Sequence, residues 1–330
     1  MKNYIFASIK TILQRLFIYR FYVLLSIFIW GASIPFFVFY GPFHNIKSIV
    51  TGTLWTSSRF KNIPLIFLSQ KQINAILPDA HNGKNIQKID TYSYSKNKKL
   101  CIKLYSIKTK TFNGKALEIS DPLSIKTAYT SYLGTKGEPL SKIAFNKKAI
   151  AAINAGGFLD YFSTGSGGIP NSFLMSNGNI VYIDKDLSMN DEVDVVGFNE
   201  DGVLIVGVHK LNDLMKYRIK EAVCFGPPLV VNGKPVIAKG DGGWGIAPRT
   251  AIGQKKTGEV IFVVIDGRTL GCLGATLKEL QDVLLELGAY TAVNLDGGSS
   301  STMYFNGRII NKPATPLGER NIASAFIVVP

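Results

Sequence analysis

Histidine and cysteine are scarce in this sequence, with three of each in 330 residues. Cys101, Cys224 and Cys272 are odd in number and far apart, which excludes a sequence-legible disulfide framework or zinc ribbon, and each reads as a small buried hydrophobe. His44, His81 and His209 stand apart from one another and from any cysteine or carboxylate pair at ligand spacing, which excludes a sequence-local metal motif. No cofactor is predicted, although Asp-Gly loops carry the oxygen ligands that Ca²⁺ takes. Repeats of solenoid or propeller period are absent as well. Acid is missing altogether from residues 1–60, which hold Lys2, Lys10, Arg15, Arg20, Lys47 and Arg59. The rest of the chain carries 31 basic against 23 acidic residues, a surplus that favours anionic partners, whether a phosphorylated glycan, an anionic wall polymer, anionic lipid or nucleic acid, without choosing among them. The only dense basic cluster, Lys96, Lys98 and Lys99, lies in a polar run, so no nucleic-acid partner is expected.

What the chain does have is apolar surface: 46% hydrophobic residues and 11% aromatics, enough for a substantial core. Phe21 to Tyr40 is twenty residues without a charge, the span of a bilayer core, with aromatics crowded at both ends. A cleaved signal peptide would have a shorter apolar region and a small-residue cleavage site, which this segment lacks. Four basic residues precede the span, so the positive-inside rule puts the N-terminus in the cytoplasm and the remainder outside. The expected organisation is a cytoplasmic N-terminus (1–20), a single-pass anchor in the cell membrane (21–40), a juxtamembrane stalk (41–99) and an extracytoplasmic domain (100–330).

From Leu100 onward short apolar runs recur between turn dipeptides, Asn113-Gly114, Asn177-Gly178, Asp201-Gly202, Asn232-Gly233 and Asn306-Gly307. One segment differs: Thr276 to Gly288 places Leu277, Leu280, Val283, Leu284 and Leu287 on one helical face, with Thr276 as N-cap and Gly288 as stop. The expected fold class is therefore α+β, a mixed, strand-rich sheet with few helices.

Two apolar strands end in a carboxylate followed by glycine: VIFVVIDGR, with Asp266, and TAVNLDGGSSS, with Asp296. A strand buried on both faces holds a charge at its tip in place, and the following glycine lets a ligand approach the backbone. A hairpin turn is the alternative for each Asp-Gly taken singly. Gly297, Gly298 and the serines from Ser299 offer N–H donors and hydroxyls to phosphate or sugar oxygens. Glu279, three residues after Thr276, fits a capping box, beside a helix N-terminus that also suits an anion. Arg249 is a lone cation in WGIAPRTAIG, matched either to a structural ion pair or to phosphate. Asn154 ends an apolar strand just before the glycine pair Gly156 and Gly157, where its amide either caps a turn or binds a sugar hydroxyl. Trp244, in GDGGWG, stacks on a sugar or fills core.

In this order INAGGF, FGPPLVVNGK, APRTAIG, VVIDGR followed by TLKEL, and VNLDGGSSST resemble the phosphodiester glycosidase family, over about residues 143–330. The resemblance implies active-site positions at Asn154, Arg249, Asp266, Glu279 and Asp296, with Gly156, Gly157, Gly297, Gly298 and Ser299 lining the site. The first motif reads NAGGF where NGGF is expected, and Ser300 stands where many members have glycine. The implied activity is hydrolysis of the sugar–phosphate bond of a sugar-1-phosphodiester, resembling a GlcNAc-1-phosphodiester, in a glycan or cell-wall polymer. The reaction needs a carboxylate beneath the oxocarbenium-like carbon, Asp296 or Asp266, and a cation over the phosphate, Arg249, with Glu279 as second carboxylate. The competing expectation is a glycan- or polymer-binding protein without turnover, serving exopolysaccharide or teichoic acid assembly.

Overall fold

The structure, a computed structural model, describes residues 2–57, 60–77, 87, 99–159 and 166–330. Helix α1 (Lys2–Tyr40) includes Arg15–Tyr40, 26 residues long and apolar enough to cross a bilayer or to act as a signal sequence. The segment expected as a stalk folds into α2 (His44–Trp55), α3 (Pro64–Phe67) and α4 (Gln70–Ile76), the last opened by a Ser69–Gln72 capping box. Phe39 near the end of α1 stacks on Phe67 with ring centroids 4.7 Å apart, and Leu68 and Ile73 complete a small apolar cluster. Most of the polar run from His81, including Lys96 and Lys98, lies outside the described residues. Within it Gln87 is buried: its amide donates to Leu204 O and accepts from Val206 N at 2.8 Å each, pairing with an edge strand.

Beyond Lys99 the chain is strand-rich α+β, in which every pairing among the described residues is antiparallel where a mix of directions was expected. Part of the reason is local: hairpins at Asn177-Gly178, Asn232-Gly233 and Asn306-Gly307 have positive φ at both residues, the backbone that a two-residue turn requires. Asn113-Gly114 departs from that expectation and opens a strand, where Gly114 allows a close approach: a Cβ there would sit 2.6 Å from Val264 O of the neighbouring strand. The largest sheet has seven strands, in spatial order Ile102–Lys108, Asn113–Ile119, Val260–Ile265, Arg249–Lys255, Ala289–Leu295, Pro228–Val231 and Lys234–Pro235. Two five-stranded sheets face it, and Leu117, Ile153, Val196, Val264, Val293 and Phe326 meet in the shared core. Helices α5 (Leu140–Asn146) and α6 (Leu211–Lys216) cover the smaller sheets, while α7 (Leu277–Glu286) packs Leu277, Leu280 and Leu284 on the outer face of the largest. Val260–Ile265 is buried along its whole length, each apolar side chain contributing about 1.5–3 kcal/mol. That burial fixes the strand's tip, where Asp266 begins.

Candidate active site

Arg249–Lys255 runs antiparallel between Val260–Ile265 and Ala289–Leu295, with Arg249 opposite Ile265 and Thr250 opposite Leu295. One end of the sheet therefore gathers Arg249, Asp266 and Asp296. Asn154 joins them from a smaller sheet. Its amide donates to Asp296 O at 2.5 Å, and its Oδ1 accepts from Thr250 Oγ1 at 2.8 Å and Thr302 N at 3.0 Å. Three of its four hydrogen-bonding positions are thus committed to protein, which makes it a tie between three segments.

Arg249 is likewise occupied. Its Nε donates to Ala275 O at 3.0 Å and its Nη2 to Trp244 O at 3.0 Å and Gly245 O at 2.7 Å. Burial pushes its pKa down to about 10, against the opposing pull of Asp241. Glu279 forms the capping box that the sequence suggested, its Oε2 accepting from Thr276 N at 2.8 Å and Thr276 Oγ1 at 2.9 Å. Asp266 accepts from Asn311 Nδ2 at 3.1 Å and Lys312 N at 2.9 Å, and so pins the loop after the Arg308–Ile309 strand instead of making a hairpin turn.

Asp296 has a different environment. Loss of hydration raises its pKa to about 6, offset in part by the Arg320 guanidinium and the Gly297 amide. Arg320 Nη1 donates to Ser299 Oγ at 3.0 Å, and its guanidinium lies 4.8 Å over the Phe158 ring. Arg268 reaches the same loop: a Cβ on Gly298 would sit 3.0 Å from its Nη2. Desolvation first, and repulsion from Arg320 second, lower the Arg268 pKa. The Asp296 carboxylate, held partly out of water, thus feels the Arg320 guanidinium, and Arg268 lies across the Gly298 turn, close enough to feel Arg320 in turn.

The glycines act through close packing. A Cβ on Gly156 would meet Val223 at 3.0 Å, one on Gly157 would meet Asn171 Nδ2 at 2.8 Å, and one on Gly297 would meet Pro248 O at 2.9 Å. Gly298 has φ +62° and donates to Pro248 O at 2.8 Å, while Ser300 N and Ser301 N donate to Gly297 O and Gly298 O. Those three N–H groups are therefore spent on Pro248 O, Gly297 O and Gly298 O, while the Ser299 hydroxyl accepts from Arg320.

On the other side of the 155–159 segment lies a cavity of about 350 Å³ lined by Leu159, Asn171, Asp184, Asp194, Phe225 and Trp244 among others. Phe225 and Trp244 meet edge to face with centroids 6.1 Å apart, offering apolar surface beside amide and carboxylate groups, a lining suited to a sugar ring. Cys224 also lines it, but burial lifts its pKa to about 11, so it stays a thiol at neutral pH. Ala155 O accepts from Asp296 N, and Gly157 O accepts from Asn171 N, so one short segment borders both the carboxylate and the cavity. Sequence reasoning passed over Arg268, Arg320, Asn171, Asp184 and Asp194. Arg320 lies four residues before the buried Ser324–Val328 strand and follows Glu319 directly, so it carried no lone-cation signal of the kind Arg249 did.

Comparison with known proteins bears on this arrangement. A family model described as phosphodiester glycosidase matches residues 147–329. The chain is 30% identical over 190 residues to a prophage-derived protein of Bacillus subtilis, across 55% of this chain and 28% of that one. It is 38% identical over 69 residues to human N-acetylglucosamine-1-phosphodiester alpha-N-acetylglucosaminidase, across 21% of this chain and 13% of the human protein. It therefore covers less than a third of either relative's length. The zebrafish enzyme's catalytic domain, solved in a form auto-inhibited by its pro-peptide, aligns with a TM-score of 0.60 at 22% identity, over 80% of this chain and 94% of that one. That likeness establishes a shared fold.

Proposed function

Because the chain belongs to the phosphodiester glycosidase family, we propose that it hydrolyses the bond between the anomeric carbon of a sugar and the phosphate of a phosphodiester. Asp296 is the carboxylate beneath the reacting carbon, and Arg268 and Arg320 neutralise the departing phosphate. The anomeric C–O bond breaks with its electron pair leaving on the phosphomonoester; water supplies the hydroxyl that replaces it, and its other proton passes to the phosphomonoester or to solvent. Such a leaving group is already acidic, so a strong general acid is not required, and one activated carboxylate carries the step. The observation that supports this reading above all is the Asp296 carboxylate at a strand tip, its pKa raised by burial to about 6, with the Arg320 guanidinium near enough to oppose that rise. Asn154 and Arg249 serve by positioning, the first through Asp296 O and the second through the 244–245 carbonyls.

The sugar belongs in the neighbouring cavity, whose walls offer aromatic faces and hydroxyl-binding acceptors. The polymer end of the substrate is a phosphorylated glycan or an anionic wall polymer, in keeping with the basic surplus of the chain. Arg15–Tyr40 anchors the protein in the cell membrane with the N-terminus cytoplasmic, residues 41–99 connect, and residues 100–330 act outside the cytoplasm. A test is release of free sugar from a panel of sugar-1-phosphodiesters by the full chain in detergent micelles. Asp296→Asn should lower the rate by about 10³-fold, and Arg320→Ala should lower it while weakening its salt sensitivity. Turnover undiminished in Asp296→Asn would remove the assignment.

A further inference from the structure

Helix α2 lies outside the 147–329 family match, yet it touches the loop that walls the sugar cavity. The loop, residues 240–246, has positive φ at Gly240, Gly242, Gly243 and Gly245, a backbone with little conformational preference of its own. Its shape must be imposed from outside. Arg249 does so from one side by holding Trp244 O and Gly245 O.

Helix α2 does so from the other. Thr53 Oγ1 accepts from Ile246 N at 3.0 Å while donating to Ile49 O at 2.7 Å. Ser48 Oγ donates at 3.2 Å to Asp241 Oδ1, which also accepts from Gly243 N at 3.1 Å. Gly52 is buried in the middle of the helix, and a Cβ there would fall 2.7 Å from both Gly243 O and Gly245 N. A Cβ on Gly245 would in turn sit 2.1 Å from Thr53 Oγ1. Two glycines facing each other across a helix–loop contact mark a backbone approach that only glycine permits.

We infer that α2 positions the cavity's aromatic wall, with Thr53, Ser48 and Gly52 as positioning residues that hold the 241–246 loop and hence Trp244 in its substrate-binding place. The inference rests on the cavity being the sugar subsite, as read above. It also joins the apolar helix α1 to the site through a short connection, since Tyr40 and His44 are separated by three residues.

The experiment uses the full chain in detergent micelles and compares wild type with Thr53→Val, Thr53→Ser and Ser48→Ala. Amide hydrogen exchange of the 241–247 peptide should quicken about tenfold in Thr53→Val, with less change in Ser48→Ala and near wild-type protection in Thr53→Ser. Exchange in Val260–Ile265 should stay unchanged, which separates a loosened loop from a failed fold. On a turned-over sugar-1-phosphodiester, Thr53→Val should raise KM about fivefold with kcat within twofold, and serine should restore it. Unchanged loop exchange in Thr53→Val and Ser48→Ala overturns the inference, as does faster exchange with KM unmoved. If the wild type turns over no diester, the functional reading falls, and the exchange data alone decide whether α2 holds the loop.

Discussion

Replacing Asp296 by asparagine should stabilise the protein at neutral and alkaline pH while stopping turnover. Burial raises the folded-state pKa of Asp296 from the ordinary aspartate value of 3.8 to about 6. Between these values the folded protein keeps a proton that the unfolded chain has released, so stability falls as pH rises from about 4 to about 6. Below that window both states are protonated and Asp296 imposes no penalty; above it the penalty is complete. A displacement of about two pKa units corresponds to about 3 kcal/mol, an upper bound for a half-buried group. Asparagine has no charge to desolvate, and its amide oxygen keeps an acceptor for the Gly297 N–H. Thermal unfolding of the full chain, followed by near-ultraviolet circular dichroism from pH 4 to pH 8, reads the difference directly. The variant's advantage should be near zero at pH 4 and reach about 2–3 kcal/mol by pH 8, a Tm gap of about 5–10 °C. A gap that does not change with pH, or a variant less stable than wild type at pH 8, would refute the burial argument.

The remaining predictions concern the same end of the sheet. If ionised Asp296 is the working form, kcat/KM should climb with pH through about 6; an acid limb that stays flat down to pH 4.5 contradicts this. Asn154→Ala leaves Thr302 N–H, Thr250 Oγ1 and Asp296 O without their partner. At about 1–3 kcal/mol per unpaired group and some relaxation, denaturant unfolding should show a loss of about 3–5 kcal/mol, together with reduced turnover. Arg249→Lys keeps the charge but cannot span the carbonyls of Ala275, Trp244 and Gly245 with one ammonium group. Its Tm should fall and its KM rise; unchanged values for both would show that charge alone mattered.

Much of this site could be read in the sequence because apolar runs ending in an acid are strong local signals. Asp266 and Asp296 were found that way, and the structure puts both at one end of one sheet. The Thr276–Glu279 capping box and the apolar period of α7 were also legible, since both signals lie within a few residues of chain. The division of labour was not legible. Asp266 is occupied by Asn311 and Lys312, Asn154 by Thr250 and Thr302, and Arg249 by Ala275, all partners far away or fixed by tertiary folding. Arg268 and Arg320 come together only through the loop around Ser299, so no spacing rule links them. Helix α2 was missed because it is short and lacks a strong apolar period. Gly52 was the available clue, an isolated glycine in a helix that is tolerated for a packing reason.

Which bond breaks can be read by isotope tracing, without reliance on rates. The full chain would turn over a sugar-1-phosphodiester in water enriched in ¹⁸O, with both products analysed by mass spectrometry. Cleavage at the anomeric carbon puts the label in the free sugar and leaves the phosphomonoester unlabelled, which is the result predicted here. Label in the phosphomonoester, with none in the sugar, would mean attack at phosphorus and would contradict the account.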